Sequence, residues 1–163
     1  MKHFFYLRSS HWLALLVCSI SIGSWAQSGP FKGANAIVLS TNLADKDAYQ
    51  SITEVLRSQH ISFTADGDVL LMRSESNSTL AGKGYVFKGQ LSVNTGIVKL
   101  TGRILDTSYQ GNESVSEKSV LISYTKGHTS LQRMGFLYMD DLARKLQSAL
   151  QGAIMYKYQK DPI

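Results

Sequence analysis

Between residues 85 and 104 the chain alternates apolar and polar side chains with a period of two. Tyr85, Phe87, Leu91 and Val93 fall on one side and Lys88, Gln90 and Ser92 on the other. After Asn94, Thr95 and Gly96 the alternation resumes, with Val98, Leu100, Gly102 and Ile104 set against Lys99, Thr101 and Arg103. Period-two alternation on both sides of turn-forming residues predicts a hairpin buried on one face. Gly89 and Gly102 lack side chains on the apolar face, which would let a covering helix approach closely.

Upstream, Ile37, Val38 and Leu39 centre a strand over residues 34–41. A helix follows to about Gln59 and His60. Asp45 is placed to cap it, Asp47 and Glu54 suit its positive end, and Tyr49, Ile52, Val55 and Leu56 recur at helical spacing. Ile61 and Phe63 lead back into the sheet, and Asp66, Gly67 and Asp68 form a turn signal. The apolar run from Val69 to Arg73 reads as a buried strand. Polar loops are expected over residues 74–84 and 106–118, and a further strand over 119–125.

The last pattern is again helical. Leu142, Leu146, Ala149, Leu150, Ala153 and Ile154 form a stripe that predicts a long helix from about Phe136 to Tyr158. Gly152 would then be an interior residue at a close helix–sheet approach. In order, these elements are a strand, a helix, four to five strands and a long C-terminal helix. Sequence neighbours joined by hairpins make a largely antiparallel sheet of about five to six strands, with both helices on one face. The fold class expected is α+β, with residues 34–163 as a single domain and 27–33 as a flexible leader rich in turn formers.

Residues 1–26 have the layout of an export signal. Lys2 and Arg8 give a positive start, residues 12–22 are apolar, and Ser24 and Ala26 place small side chains before a cut ahead of Gln27. An uncleaved anchor is the alternative, but the apolar run is short of the ~20 residues that span a bilayer core. Lipidation at Cys18 is disfavoured by Val17 before it and by the apolar sequence that continues after it. The expected destination is the periplasm or the exterior of a bacterial cell, with no transmembrane helix left after cleavage.

Cleavage at Ala26 changes the composition more than its length suggests. Cys18, Trp12 and Trp25 all leave with the signal. The remaining chain has no disulfide, thiol nucleophile or thiolate-bound metal, and its core aromatics are Tyr and Phe. Of 17 basic residues, the signal removes Lys2 and Arg8, leaving 15 against 12 acidic ones, a formal +3. Those charges are scattered along the chain without a run of Lys or Arg, so nucleic acid is not expected as a partner.

Candidate chemistry is sparse. Nucleophilic catalysis would need a histidine base, and only His60, at a helix end, and His128, in a polar connector, remain. No Gly-x-Ser-x-Gly elbow accompanies either. Asp66 and Asp68 flank a turn glycine without the later ligands of a calcium loop. Glu75, Glu113 and Glu117 lie in polar segments with no aromatic platform beside them, and Gly82, Lys83 and Gly84 lead into a strand rather than a phosphate-binding helix. No cofactor or metal is expected. Tyr85, Phe87, Tyr124, Phe136 and Tyr138 are the candidate lining of an apolar pocket, if the long helix stands off a curved sheet. The tail from Tyr156 to Lys160 mixes Tyr and Lys in a way that suits contact with a partner or a membrane surface.

With this order in place, the chain resembles small uncharacterised exported α+β proteins common in Bacteroidetes. The similar stretches are residues 42–49 after the Ile/Val strand, the strand over 98–102, and Lys126 and Gly127 leading into residues 139–143. The resemblance implies an envelope or secreted domain and brings no activity with it. A looser similarity is to helix-grip domains, in which a long C-terminal helix lies across an antiparallel sheet; it implies a ligand cavity between the two. The function expected is therefore an exported, non-enzymatic binding or structural domain. Its partner is unknown, with an envelope protein as one candidate. The alternative is a carrier that holds a small apolar ligand between sheet and helix.

Overall fold

In the computed structural model the chain builds a seven-stranded sheet and two helices, an α+β fold. The structure describes residues 29–75, 78–107, 119–127 and 130–160. The cleavage site at Ala26 and Gln27, together with His128, Glu113 and Glu117, lies outside the described residues.

The strands are β1 (Ala36–Ser40), β2 (Ile61–Asp66), β3 (Val69–Ser74), β4 (Tyr85–Asn94), β5 (Ile97–Asp106), β6 (Ser119–Leu121) and β7 (Ala153–Lys157). The helices are α1 (Asp45–Ser58) and α2 (Leu131–Leu150), and a single 3-10 turn covers Ala81–Lys83. Strand order is β2-β3-β4-β5-β1-β7, with β6 also on β5, and every described pairing is antiparallel. β1 pairs with one half of β5 (Ser40 to Ile97 through Ala36 to Thr101) and β6 with the other (Arg103 to Leu121 through Leu105 to Ser119).

The expected hairpin forms. Asn94 pairs with Ile97, so the loop is Thr95 and Gly96, with φ of 51° and 71°. Two consecutive left-handed residues are the turn that matches strand twist. The β2–β3 loop is Gly67 and Asp68, as the turn signal indicates, with Gly67 at φ 57°.

Both helices cover one face. Ala48, Ile52 and Leu56 from α1 and Phe136, Met139, Leu142, Ala143, Leu146 and Leu150 from α2 join Ile37, Leu39, Phe87, Leu91, Leu100 and Ile104 in one core. The cross-strand glycines Gly89 and Gly102 do open room there. It is filled by the Phe87 ring, which a Cβ at either glycine would meet at 2.6 and 2.5 Å. The close helix–sheet approach lies elsewhere, at Gly135, where a Cβ would meet Ile122 Cγ1 at 2.7 Å and Ile104 at 2.8 Å.

Several expectations are corrected. The long helix starts earlier and stops earlier than the 136–158 predicted. Ser130 caps it by accepting from the Arg133 N–H, and Gln151, at φ 49°, ends it. Ala153 and Ile154 belong to β7, which pairs along β1 from Ser40–Ala153 to Ala36–Lys157. Gly152 is thus a link between helix and strand, and its open side faces the backbone oxygen of Ser40. β3 is half-exposed rather than buried, because Leu71 points away from the helices. Asp45 does not cap α1; Ala44 stands at the cap position with no side-chain bond. At the end of the expected leader, Gly33 N–H donates to the Tyr124 oxygen at 2.8 Å.

Candidate functional site

Both described helices share one face; on the opposite face Ala36, Val38, Thr101 and Leu105 are buried, whereas Ser62, Thr64, Leu71 and Arg73 are exposed. Side chains alternate across a strand, so this face carries Ser62 and Thr64 of β2, Leu71 and Arg73 of β3, Lys88, Gln90 and Ser92 of β4, and Lys99, Thr101 and Arg103 of β5. Ser62, Thr64, Leu71, Arg73, Lys88, Gln90 and Arg103 line a groove of about 480 Å³ over the β2–β4 half of the sheet.

Strand register decides what meets in it. Arg73 pairs with Lys88, and Lys88 with Arg103. The three cations stand side by side on adjacent strands, in a row that runs across the sheet and begins at Ser62 opposite Arg73. The next row along the strands is Thr64, Leu71, Gln90 and Thr101. Leu71 is 38% exposed there. Arg103 Nη1 reaches Ser119 Oγ at 3.3 Å. Neither Arg73 nor Arg103 forms an ion pair among the described residues, where the bridges seen are Arg144–Asp140 and Lys145–Asp141 on α2.

A second groove, of about 540 Å³, lies between α2 and the segment before β4, with Leu80, Lys83, Met134, Leu137, Asp141 and Lys145 among its walls. Its charges are mixed in sign, and Lys145 is engaged by Asp141 and Gln59, both at 2.6 Å.

The five aromatic residues expected to line a pocket all lie between sheet and long helix, and four of them meet in pairs. The Phe87 ring lies 5.1 Å from Tyr138, and Tyr124 lies 5.4 Å from Phe136. Phe87 and Phe136 are fully buried, while Tyr85, Tyr124 and Tyr138 are partly buried against the same core. Burial, and to a lesser degree Asp141, raises the Tyr138 hydroxyl above its ordinary pKa. Tyr156, absent from the expected set, also stacks on Phe136 at 6.0 Å. Its hydroxyl donates to Asp140 at 2.7 Å, and burial together with that carboxylate pushes its pKa up to about 12. This pair joins β7 to α2.

His60 ends α1 in the left-handed region, at φ 53°. Among the described residues no three His, Cys, Asp or Glu side chains gather as a metal site, and no helix is long and apolar enough to cross a membrane. Asp66 ends β2 and Asp68 lies within the β2–β3 turn.

The sequence matches no protein-family model, and no curated protein is significantly similar to it. The surface with the most distinctive chemistry is therefore identified by geometry alone. It is the row of basic side chains on the face opposite the two described helices. Part of the signal was present in the sequence, since Lys88 and Arg103 are polar alternates of the hairpin. Arg73 was missing from it because its strand read as buried.

Proposed function

We propose that the chain is an exported, non-enzymatic binding domain of the cell envelope whose ligand-contacting surface is the β2–β4 half of the sheet face opposite the two described helices. The observation that carries this reading is the groove over β2–β4, where Arg73, Lys88 and Arg103 adjoin an exposed Leu71.

Export is supported by the layout of residues 1–26 and by the resemblance to exported proteins of the Bacteroidetes type. The alternative, a carrier of an apolar ligand between sheet and long helix, draws less support. Phe87 and Phe136 are fully buried there, and the Phe87 ring already fills the room beside Gly89 and Gly102.

Native mass spectrometry of the exported protein tests both parts. Its chain mass should begin at Gln27, and the material should show no tryptophan emission. It should carry a bound small molecule that is lost in Gln90→Trp, a substitution that fills the groove from a half-exposed position without touching the core. Tryptophan emission in the wild type would refute cleavage at Ala26. A bound molecule retained in folded Gln90→Trp, or none in either protein, would remove the groove as the binding surface.

A further inference from the structure

We propose that two copies of the chain associate through the edge strand β2, paired antiparallel about a two-fold axis at Phe63, so that their sheets join into one. This pairing does not depend on what the groove binds.

Among the described residues β2 has β3 on one side and no strand on the other. Asp66 and Val69 close a two-residue loop, and residues that close such a loop exchange both backbone hydrogen bonds. Bonded pairs recur at every second residue, which here gives Thr64 with Leu71 and Ser62 with Arg73. The alternate residues Ile61, Phe63 and Ala65 therefore turn N–H and C=O to the open edge, where no described residue bonds them. Such an edge is a template for another strand. Lysine, other charges and proline are what blunt an edge, and β2 has none of them from Ile61 to Ala65. The opposite edge of the sheet, β7, does carry Lys157 within the strand.

The residues of β2 fit a second copy of themselves. With Phe63 opposite Phe63, Ile61 falls opposite Ala65, so every outward N–H meets an outward carbonyl. Ser62 then lies opposite Thr64, and His60 comes beside Asp66 at both ends of the contact. Aromatic pairs, hydroxyl pairs and an imidazole N–H beside a carboxylate are all favourable across strands. An axis at Thr64 would instead set Ile61 against the turn residue Gly67 and Phe63 against Ala65. Phe63 is half-buried, with Arg57 of α1 over its ring at 5.8 Å, and Ser62, Thr64 and Ala65 are exposed. The axis stands perpendicular to the sheet, so the helices of both copies share one face. On the other face the two grooves, each walled by Ser62 and Thr64, meet across the axis.

Sedimentation velocity of the exported chain over a concentration series tests this. The sedimenting mass should rise to twice that of one chain and stop there. Ala65→Pro removes one outward N–H per copy and leaves the β2–β3 ladder intact, so association should weaken by about tenfold or more. Thr64→Lys brings like charges together near the axis and should weaken it in the same direction. Melting of both variants close to that of dilute wild type shows that they are folded. Amide exchange locates the contact: the N–H groups of Phe63 and Ala65 should exchange slowly in the dimer and fast on dilution. A chain that stays monomeric at millimolar concentration would overturn the proposal. So would a dimer that either folded variant leaves intact, or one in which these amides exchange fast. A mass that keeps climbing with concentration would do the same, since it marks an open head-to-tail contact rather than a closed pair.

Discussion

Both carboxylate oxygens of Asp45 turn away from the helix it begins. Thr95 N–H donates to Oδ2 at 3.0 Å and Gly96 N–H to Oδ1 at 2.9 Å. Thr95 is β-branched and left-handed, a conformation such residues rarely adopt, so these two bonds steady a turn that its own sequence leaves strained. The two donors, Gly96 first, hold the Asp45 carboxyl below its ordinary pKa of 3.8. A depressed folded-state pKa stabilises above the unfolded value and is lost as pH falls through the folded one. Asp45→Ala should therefore lower the melting temperature at neutral pH, and the gap to wild type should close below about pH 3.8, where the wild-type carboxylate protonates. A gap that persists at low pH would mean the carboxylate charge is not what holds the turn. Gly135 is a residue-scale case of opposite character. Alanine favours a helix over glycine by up to ~1 kcal/mol, but its Cβ would press on Ile104 and Ile122 at 2.7–2.8 Å. Overpacking costs about 1–3 kcal/mol, so Gly135→Ala should be net destabilising in urea denaturation, although it improves helix propensity.

At the scale of elements, what could be read from sequence depended on whether one period excluded another. The β4–β5 hairpin was legible because ten residues on each side alternate around a turn. β7 was not. Leu146, Ala149, Leu150, Ala153 and Ile154 keep helical spacing straight through the helix end, and Ala153–Lys157 is too short for alternation to compete. The break is set by tertiary structure: β1 needs a partner on its second edge, and Gly152 lets the chain pass against Ser40. The candidate site was half legible for a related reason. Lys88 and Arg103 share a face by alternation within a hairpin, but Arg73 joins them only through β3–β4 register, set across the long segment between those strands. The Tyr156–Asp140 bond should report on the β7–α2 junction. A raised phenol pKa stabilises fully below the unfolded value of 10.0 and is lost as pH rises through the folded value of about 12. Tyr156→Phe should therefore melt below wild type at neutral pH by an amount that stays level to about pH 10 and shrinks toward pH 12. A constant difference across that window would show that the hydroxyl acts through packing alone.

Across the whole molecule, the modest net charge conceals an uneven distribution. On the helices, Asp45, Asp47, Glu54, Asp140 and Asp141 balance Lys46, Arg57, Arg133, Arg144 and Lys145. The sheet face opposite the described helices carries Arg73, Lys88, Lys99, Arg103 and Lys157, with Asp66 and Glu75 only at strand ends. The surplus of positive charge among these elements thus belongs to the side of the sheet opposite the two described helices. Net charge and local field make different predictions. If adsorption to an anionic surface followed net charge, any two neutralised cations would weaken it equally. A patch within about a Debye length of the surface, roughly 8–10 Å at ordinary salt, acts as a unit instead. Arg73→Gln/Arg103→Gln and Lys46→Gln/Arg57→Gln each remove two positive charges, one pair from the sheet face and one from α1. On a cation exchanger at neutral pH, the sheet-face variant should elute at clearly lower salt than the helix variant, which should stay close to wild type. Coincident elution of the two would show that the row acts no differently from charge placed elsewhere, leaving the sheet face without the electrostatic identity that its register implies.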